Sequence, residues 1–554
     1  MLSTDSNNDS RCAELSGSSN LTSKLVPISS PHNYRAVWIV VLLIALLQTF
    51  YAAGFIARTS FVVEGNRYFC LFDDAMISMR YADNWANGHG FVWNPGERVE
   101  GYTTFLWTAI MGICHLFRLS PTRTCLLVQI LGIPILWCCL VATALLARSC
   151  RLTPVSACCA VVLVGGFYNL IFFTLFGMET GLLTCLVTFA LADSVRCIHE
   201  KQGRITPLLW FAPALLVRPD VLPIMLFVLS FLCISVRQGR ARLVAGLLAV
   251  ALVLSIHFLW RYRFYGEWLP NTYYLKATGW PLADRIVVGI RQSFWTAVTL
   301  GLPALLAAMV LLRPKRWHFL ILGCFTIAVA YQVYVGGDAW PLSRFVLPVS
   351  PGLFVLAAQG IDRTVAFFMK RNVITSRLRI QVALTVLCVI ATNAINWNHF
   401  FLLTRPQTAG DRRMNIRCVL AVEKIAEPDA CVAVGYAGVF PYFSRRRCVD
   451  LFGKCDSHIA RLPAHSEVRR AGHNKHDFNY SLTTYKPDVI LHLSAPSIPE
   501  CFQHYRPIIV EVDDSEIALC VRKDSPKVRA GRVVGWYTFK EHFLEMVNEG
   551  RRDF

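Results

Sequence analysis

Charge is scarce in this chain. Of 554 residues only 16% are Asp, Glu, Lys or Arg, 55% are hydrophobic, and the mean hydropathy is +0.44. A soluble globular protein carries about a quarter of its residues charged, so the shortage excludes that class and leaves a polytopic membrane protein. Carboxylates are scarcer than cations, 36 against 55. The surplus lies in short loops and not in one patch interleaved with stacking aromatics, which excludes a nucleic-acid binder. No Cys-x-x-Cys spacing occurs among the 20 cysteines, so a zinc ribbon is excluded. Cys138, Cys139, Cys158, Cys159, Cys185 and Cys233 fall inside apolar runs, where cysteine is a small hydrophobe. No internal repeat is visible either, which argues against a transporter built from duplicated halves.

What is present is a series of apolar runs. The first, from Ala36 to Ile56, follows a Ser/Asn-rich leader too long and too weakly charged for a cleaved signal peptide. It reads as an uncleaved first helix behind a disordered cytoplasmic segment of residues 1–35. Further runs lie near 103–117, 124–147, 154–175, 180–195, 207–217, 221–236, 243–260, 294–312, 317–335, 345–369 and 380–403. The basic clusters Arg148/Arg151, Arg196/Lys201/Arg204, Arg237/Arg240/Arg242, Arg313/Lys315/Arg316 and Lys370/Arg371/Arg377/Arg379 all fall on the cytoplasmic side in one arrangement. In it, 103–117 is a juxtamembrane helix inside an outer loop of residues 58–123, about eleven helices cross, and the chain after Arg405 lies outside.

That arrangement gathers the polar motifs on the outer side. Asp73 and Asp74 are adjacent carboxylates just past the first helix; like charges side by side raise one pKa, which suits a base or an acceptor-orienting pair. Helix capping is the structural alternative. Glu179, between Met178 and Thr180, either starts a helix, binds a sugar hydroxyl or orients an arginine. Arg218-Pro219-Asp220 offers a guanidinium suited to bidentate phosphate recognition or to a local salt bridge with Asp220. Lys276 and Arg344 add cations on the same side, Arg344 at the expected start of a helix whose dipole also favours anions. Interfacial snorkelling is the plain account of Lys276. Asp338, after Gly336-Gly337, positions the arginine, contacts substrate, or is a turn residue. In His473-Asn-Lys475-His476-Asp477 two histidines at i and i+3 lack a readable third ligand, so a loop is favoured over a metal site.

In order along the chain, Asp73-Asp74-Ala-x-Ile-Ser-x-Arg80-Tyr81, Asn94-Pro95-Gly96-Glu97-Arg98-Val-Glu100-Gly101-Tyr102-Thr103, Gly177-Met178-Glu179-Thr180, Arg218-Pro219-Asp220, Leu269-Pro270-Asn271-Thr272-x-x-x-Lys276, Gly336-Gly337-Asp338 with Arg344, and Gly472-His473-x-Lys475 resemble the polyprenyl-phosphate-dependent glycosyltransferases of the GT-C fold. The branch they resemble most is that of the mycobacterial-type terminal arabinofuranosyltransferases. The resemblance implies a mainly α, polytopic enzyme of the bacterial cytoplasmic membrane with its active site facing the exterior. It implies a sugar donor carried on polyprenyl phosphate, and a glycan, glycolipid or protein hydroxyl as acceptor, without cofactor or metal. Carried over, Asp73 or Asp74 deprotonates or orients the acceptor, and Arg218, Lys276 and Arg344 hold the donor phosphate. Arg80, Tyr81, Glu100, Tyr102, Glu179, Asp220, Asn271, Asp338 and His473 join them as substrate-binding positions. The departures Leu216-Val217 before Arg218 and Thr104 after Tyr102-Thr103 put the sugar specificity outside what is carried over. A multi-pass transporter of a lipid-linked or anionic substrate is the other class of reading.

Residues 405–554 read as an extracytoplasmic α/β domain, with strands at Ala430–Val434, Asp488–His492 and Ile508–Val512. Cys418, Cys431, Cys448, Cys455, Cys501 and Cys520 are candidates for disulfides there. The basic stretch from Arg522 to Arg532 reads as a lipid-facing or a solvated loop.

Overall fold

Every apolar run becomes helix. The structure, a computed structural model, describes residues 34–338, 342–370, 376–406, 409–465, 472–491, 503–529, 532–534 and 541; most of the leader, Arg371, His492 and Cys501 lie outside these. The helices in chain order are α1 (Arg35–Thr59), α2 (Asp73–Ala86), α3 (Phe105–His115), α4 (Pro121–Ser149), α5 (Pro154–Gly165), α6 (Tyr168–Leu175), α7 (Thr180–Glu200), α8 (Thr206–Val217), α9 (Leu222–Ser235), α10 (Arg240–Tyr265), α11 (Asn271–Ala277), α12 (Leu282–Ala308), α13 (Arg316–Tyr334), α14 (Ser350–Lys370) and α15 (Arg377–Asn393). Beyond them come α16 (Trp397–Phe400), α17 (Ala409–Ile425), α18 (Val439–Ser444), α19 (Ser457–Arg461) and α20 (Phe478–Tyr485).

Among the described residues eight helices are long and apolar enough to cross a membrane, and α5 with α6, bent by 49°, makes a broken span or a re-entrant loop. The three shorter apolar helices are α3, α8 and the Pro219–Ser235 segment. Pro at the first turn of α4, α5 and α8 explains where they begin, since the missing N–H falls among the orphan donors. Helix α7 is the central one, with 78% of its most apolar window buried against 22% for α10 at the periphery. Its Thr184 and Thr188 hydroxyls donate to the carbonyls four residues back, so neither of these two donors is stranded in the apolar core. Gly289 and Gly360 lie where a side chain would run into the backbone of Val333 and Leu306, which lets α12 approach α13 and α14 closely.

The bundle has two chemically distinct ends. At one, Arg148, Arg151, Arg196, His199 and Glu200 share a pocket, and a bridge between Gln202 and Gln238 brings the following loop alongside. At the other sit α2, α11 and the turns that precede α7, α9 and α14. The sorting of basic loops and polar motifs anticipated from charge is therefore present in space.

After the spans the chain forms a six-stranded sheet in the order β4-β3-β5-β7-β6-β8. Here β1 (Phe61–Val63) and β2 (Asn66–Tyr68) are a separate hairpin, and the sheet is β3 (Val432–Val434), β4 (Cys448–Asp450), β5 (Val489–Ile490), β6 (Tyr505–Val512), β7 (Ser515–Arg522) and β8 (Arg532–Val533). β3 pairs in parallel with β4 and β5, and β7 joins antiparallel to β5 and β6. Among the described residues no disulfide forms; Cys418, Cys431, Cys448, Cys455 and Cys520 are free thiols, four of them buried in the core. The basic residues from Arg522 onward pair with acids, Arg522 with Asp488 in a largely buried pair, and Lys527 with Asp429 and Arg529 with Glu427 at the surface. The sheet unit sits on the first loop: Trp93 Nε1 donates to Ala437 O at 3.1 Å, Asn94 Nδ2 to Cys448 O at 2.8 Å, and Tyr442 Oη lies 3.0 Å from His115 Nε2.

Candidate active site

The two aspartates open α2, yet neither caps it. The cap position is Phe72, Asp73 and Asp74 occupy the first turn, and no side chain caps the helix. Neither carboxylate caps α2, although both supply the first-turn charge that favours a helix start, and the two diverge. Asp73 Oδ1 accepts the Val439 N–H at 3.0 Å at the start of α18. Asp74 instead faces a cluster of cations. Arg344 Nη1 donates to its Oδ2 at 3.2 Å and Lys454 Nζ stands 3.6 Å from its Oδ1.

Arg344 is held on its other side by Asp338, through Nη2 to Oδ1 at 3.0 Å and an Nε–Oδ2 ion pair at 3.0 Å. Its place differs from the expected helix start. After Ser343, in the left-handed region at φ 56°, a short 3-10 turn at Leu347–Val349 intervenes and α14 begins only at Ser350. Ion pairing, not a helix dipole, fixes the guanidinium. Asp74 keeps 32% of its side chain open to the cleft while protein surrounds it on the remaining sides. Burial favours its neutral form, but Lys454, Arg344 and Lys276 together outweigh that and hold the carboxyl below the usual carboxylate range.

Lys276, on α11, is exposed and lies within electrostatic reach of Asp74. Among the described residues its ammonium has no hydrogen bond or ion pair within contact distance. The surrounding protein draws its pKa down while Asp74 works the other way. Gly472 packs against its stem, where a Cβ would lie 3.1 Å from Lys276 Cε. His473 comes within electrostatic reach of Asp74 and lies 6.1 Å, ring to ring, from Phe452.

A second charged group adjoins the first. Arg218 Nη1 donates to Glu179 Oε1 at 2.8 Å, and its Nε donates to Asp220 Oδ1 at 3.1 Å. Glu179 stands at the cap position of α7 without capping it, so of its alternatives it takes the arginine-orienting one. Arg218 lies over the Phe345 ring at 5.1 Å and Arg344 over the same ring at 5.9 Å. Both arginines, with Asp220, Thr180 and Tyr331, line a narrow pocket.

The remaining candidate positions build the walls. Arg80 donates Nε to Trp93 O at 2.9 Å and Nη2 to Arg446 O at 3.0 Å, joining the first loop to the sheet unit. Tyr81 Oη donates to Val99 O at 2.7 Å and accepts the Gly101 N–H at 2.8 Å. Tyr102 Oη lies 3.1 Å from Tyr265 Oη, and Glu100 pairs with Arg261 at 2.7 and 3.2 Å. These four are buried, and Tyr81 Oη also reaches Cys455 Sγ at 3.7 Å beside Lys454. Asn271 donates Nδ2 to the carbonyls of Gly453, Lys454 and Asp456 at 2.9, 3.0 and 3.1 Å. It thereby sets the loop that delivers Lys454, a residue that no motif singled out and whose only local sign is the glycine before it.

Residues 407–536 match the model of a domain of unknown function (DUF8728). No curated protein matches the chain by sequence. Among solved structures, ArnT from Cupriavidus metallidurans in the apo state superposes with a TM-score of 0.54 at 13% identity, covering 88% of this chain and 98% of that one. The same protein bound to undecaprenyl phosphate gives 0.51 at 12% identity, over 88% and 99%. The Archaeoglobus fulgidus oligosaccharyltransferase in the apo form gives 0.50 at 8% identity, over 85% and 73%. At such identities the likeness speaks for architecture, and the architecture is shared nearly end to end: this chain is a polytopic membrane protein with the GT-C fold.

Proposed function

We propose that the protein is a membrane glycosyltransferase that moves a sugar from a polyprenyl-phosphate donor to a hydroxyl of a cell-envelope glycan, glycolipid or protein. Its site faces the exterior of a bacterial cytoplasmic membrane, with arabinofuranose as the first sugar to test. The observation that carries this reading is the solvent-open Asp74 carboxylate flanked by Arg344, Lys454 and the unpaired Lys276 at one end of a GT-C bundle. Arg344 is shared with Asp338, and Lys276, with no hydrogen bond or ion pair among the described residues, is the cation left over for a phosphate. The undecaprenyl phosphate bound to the similarly folded ArnT fits the same reading.

In this scheme the donor phosphate draws Lys276, Lys454 and Arg344 toward itself, loosening their hold on Asp74. The carboxylate then accepts the proton of the acceptor hydroxyl as that oxygen bonds to the sugar's anomeric carbon. The bond from that carbon to the phosphate oxygen breaks, and its electron pair leaves on polyprenyl phosphate. Asp338 holds Arg344 in register throughout, and the Glu179–Arg218–Asp220 group supports it across Phe345. The test is a panel of polyprenyl-phosphate sugars offered to purified protein in vesicles, followed by linkage analysis of the product. Transfer of one sugar supports the reading; none transferred and none bound overturns it.

A further inference from the structure

The end of the bundle away from Asp74 carries a built pocket that the proposed transfer does not use. It holds about 420 Å³ and is lined by Arg148, Ser149 and Arg151 from the end of α4, and Arg196, His199 and Glu200 from the end of α7. Glu179 and Arg218 stand at the beginning of α7 and His199 near its end. At 1.5 Å per residue the 21-residue helix separates them by about 30 Å, the thickness of a bilayer's hydrocarbon core.

The pocket's charge is unbalanced. Glu200 is already taken by Arg204, through Nε at 2.9 Å, and Arg196 divides itself between Asp193 Oδ1 at 3.1 Å and Ser149 Oγ at 3.1 Å. Arg148 and Arg151 have no carboxylate partner among the described residues. Arg148 instead lies over the Tyr34 ring at 5.8 Å. Lys315 comes within electrostatic reach of His199. The plain account is that these cations offset the helix ends, which carry about half a negative charge each. Two such ends leave a surplus of positive charge, and they leave a second fact unexplained: His199 Nε2 is buried at the pocket wall with no hydrogen-bond partner among the described residues. A buried ring nitrogen is left unpaired only at a cost.

We infer that this pocket binds a phosphate group, with Arg148 and Arg151 supplying charge-assisted hydrogen bonds and His199 Nε2 a third contact. A 420 Å³ basic recess between helix ends, at the level where lipid headgroups lie, is the setting in which anionic headgroups are recognised. The ligand is a phosphodiester lipid headgroup or free phosphate, and one experiment separates them.

Purified full-length protein in neutral detergent is titrated with phosphatidylglycerol, phosphatidylcholine or inorganic phosphate while its thermal midpoint and lipid retention by native mass spectrometry are followed. Phosphatidylglycerol raising the midpoint assigns a lipid headgroup, and inorganic phosphate doing so alone assigns a soluble ligand. In either case Arg148→Gln/Arg151→Gln weakens the effective ligand at least tenfold, His199→Ala weakens it less, and Arg240→Gln/Arg242→Gln, an equal loss of charge on α10, leaves it unchanged. The inference is overturned if neither phosphate source binds, if phosphatidylcholine does as well as phosphatidylglycerol, or if the α10 pair matters as much as the pocket pair. Should the Arg148/Arg151 variant fail to fold, His199→Ala decides alone: unchanged binding contradicts the assignment.

Discussion

Lys454 reaches Asp74 from the far part of the chain, its Nζ 3.6 Å from Oδ1, and it does so because Asn271 grips the backbone on both sides of it. The cation cluster is thus an assembly of the first loop, α11 and the sheet unit, and each part can be tested by itself.

Asn271→Leu removes three side-chain hydrogen bonds to the 453–456 loop. The two N–H groups are shared among the three carbonyls, so at about 1 kcal/mol per N–H a loss of roughly 2 kcal/mol in stability follows. Transfer falls further than stability does, since Lys454 loses its station. Thermal denaturation beside initial rates at a temperature where the variant stays folded checks both.

Arg344→Lys keeps the charge and loses the fork. A lysine cannot span Asp74 on one side and Asp338 on two nitrogens on the other. Donor KM is expected to rise about tenfold or more, with the protein still folded by gel filtration. Arg344→Lys performing like the parent chain would remove the arginine from phosphate binding.

Gly438→Ala should undo the seat of the sheet unit, because a Cβ there would collide with the Asp73 backbone carbonyl and carboxylate. A backbone carbonyl cannot give way cheaply, so a loss of folded yield or a lowered thermal midpoint is expected. Gly96→Ala, with open space around it but φ of +87°, should cost about 1 kcal/mol and leave the docking intact.

The pH dependence follows from the cations around Asp74. Its folded pKa lies below the unfolded value of about 3.9, so the stability it contributes is present above that value and is lost as pH falls through the folded pKa. In the free enzyme Asp74 therefore stays ionised, and kcat/KM should show no acid limb from it above about pH 4. Once donor phosphate engages the cations the carboxyl's pKa rises, and the acid limb of kcat should sit at higher pH than that of kcat/KM. On the alkaline side Lys276, whose pKa is drawn down, loses its proton before an ordinary lysine would. Donor KM rises there, and Lys276→Arg moves the rise to higher pH.

Much of this was legible in the chain because membrane constraints are strong. Every apolar run became helix, since a bilayer leaves the backbone no other way to satisfy itself, and the basic loops converged at one end as charge sorting requires. Asp74, Lys276, Asp338 and Arg344 were named from short motifs and meet in space. The expected start of a helix at Arg344 was displaced by a left-handed Ser343 and a 3-10 turn, local geometry that no residue pattern announces. Lys454 was invisible because its role is created by a tertiary contact. Arg80 and Tyr81 share a motif with the aspartates, and Tyr102 belongs to the next one, yet all three face walls, since a motif records proximity along the chain and not the direction of a side chain. β7 went unread because its partner strands lie on both sides of it in space while only one precedes it by a tight turn.

The most direct test compares the two aspartates in one assay of transfer from a polyprenyl-phosphate sugar. Asp74→Asn should lower kcat about a hundredfold or more, the usual scale for a lost acid–base group, measured at a temperature where the variant, which also loses the ion pairs to Arg344 and Lys454, stays folded. Asp73→Asn should retain most of its turnover, since its amide oxygen still accepts the Val439 N–H. Full turnover in Asp74→Asn, or its collapse in Asp73→Asn alone, would contradict the account.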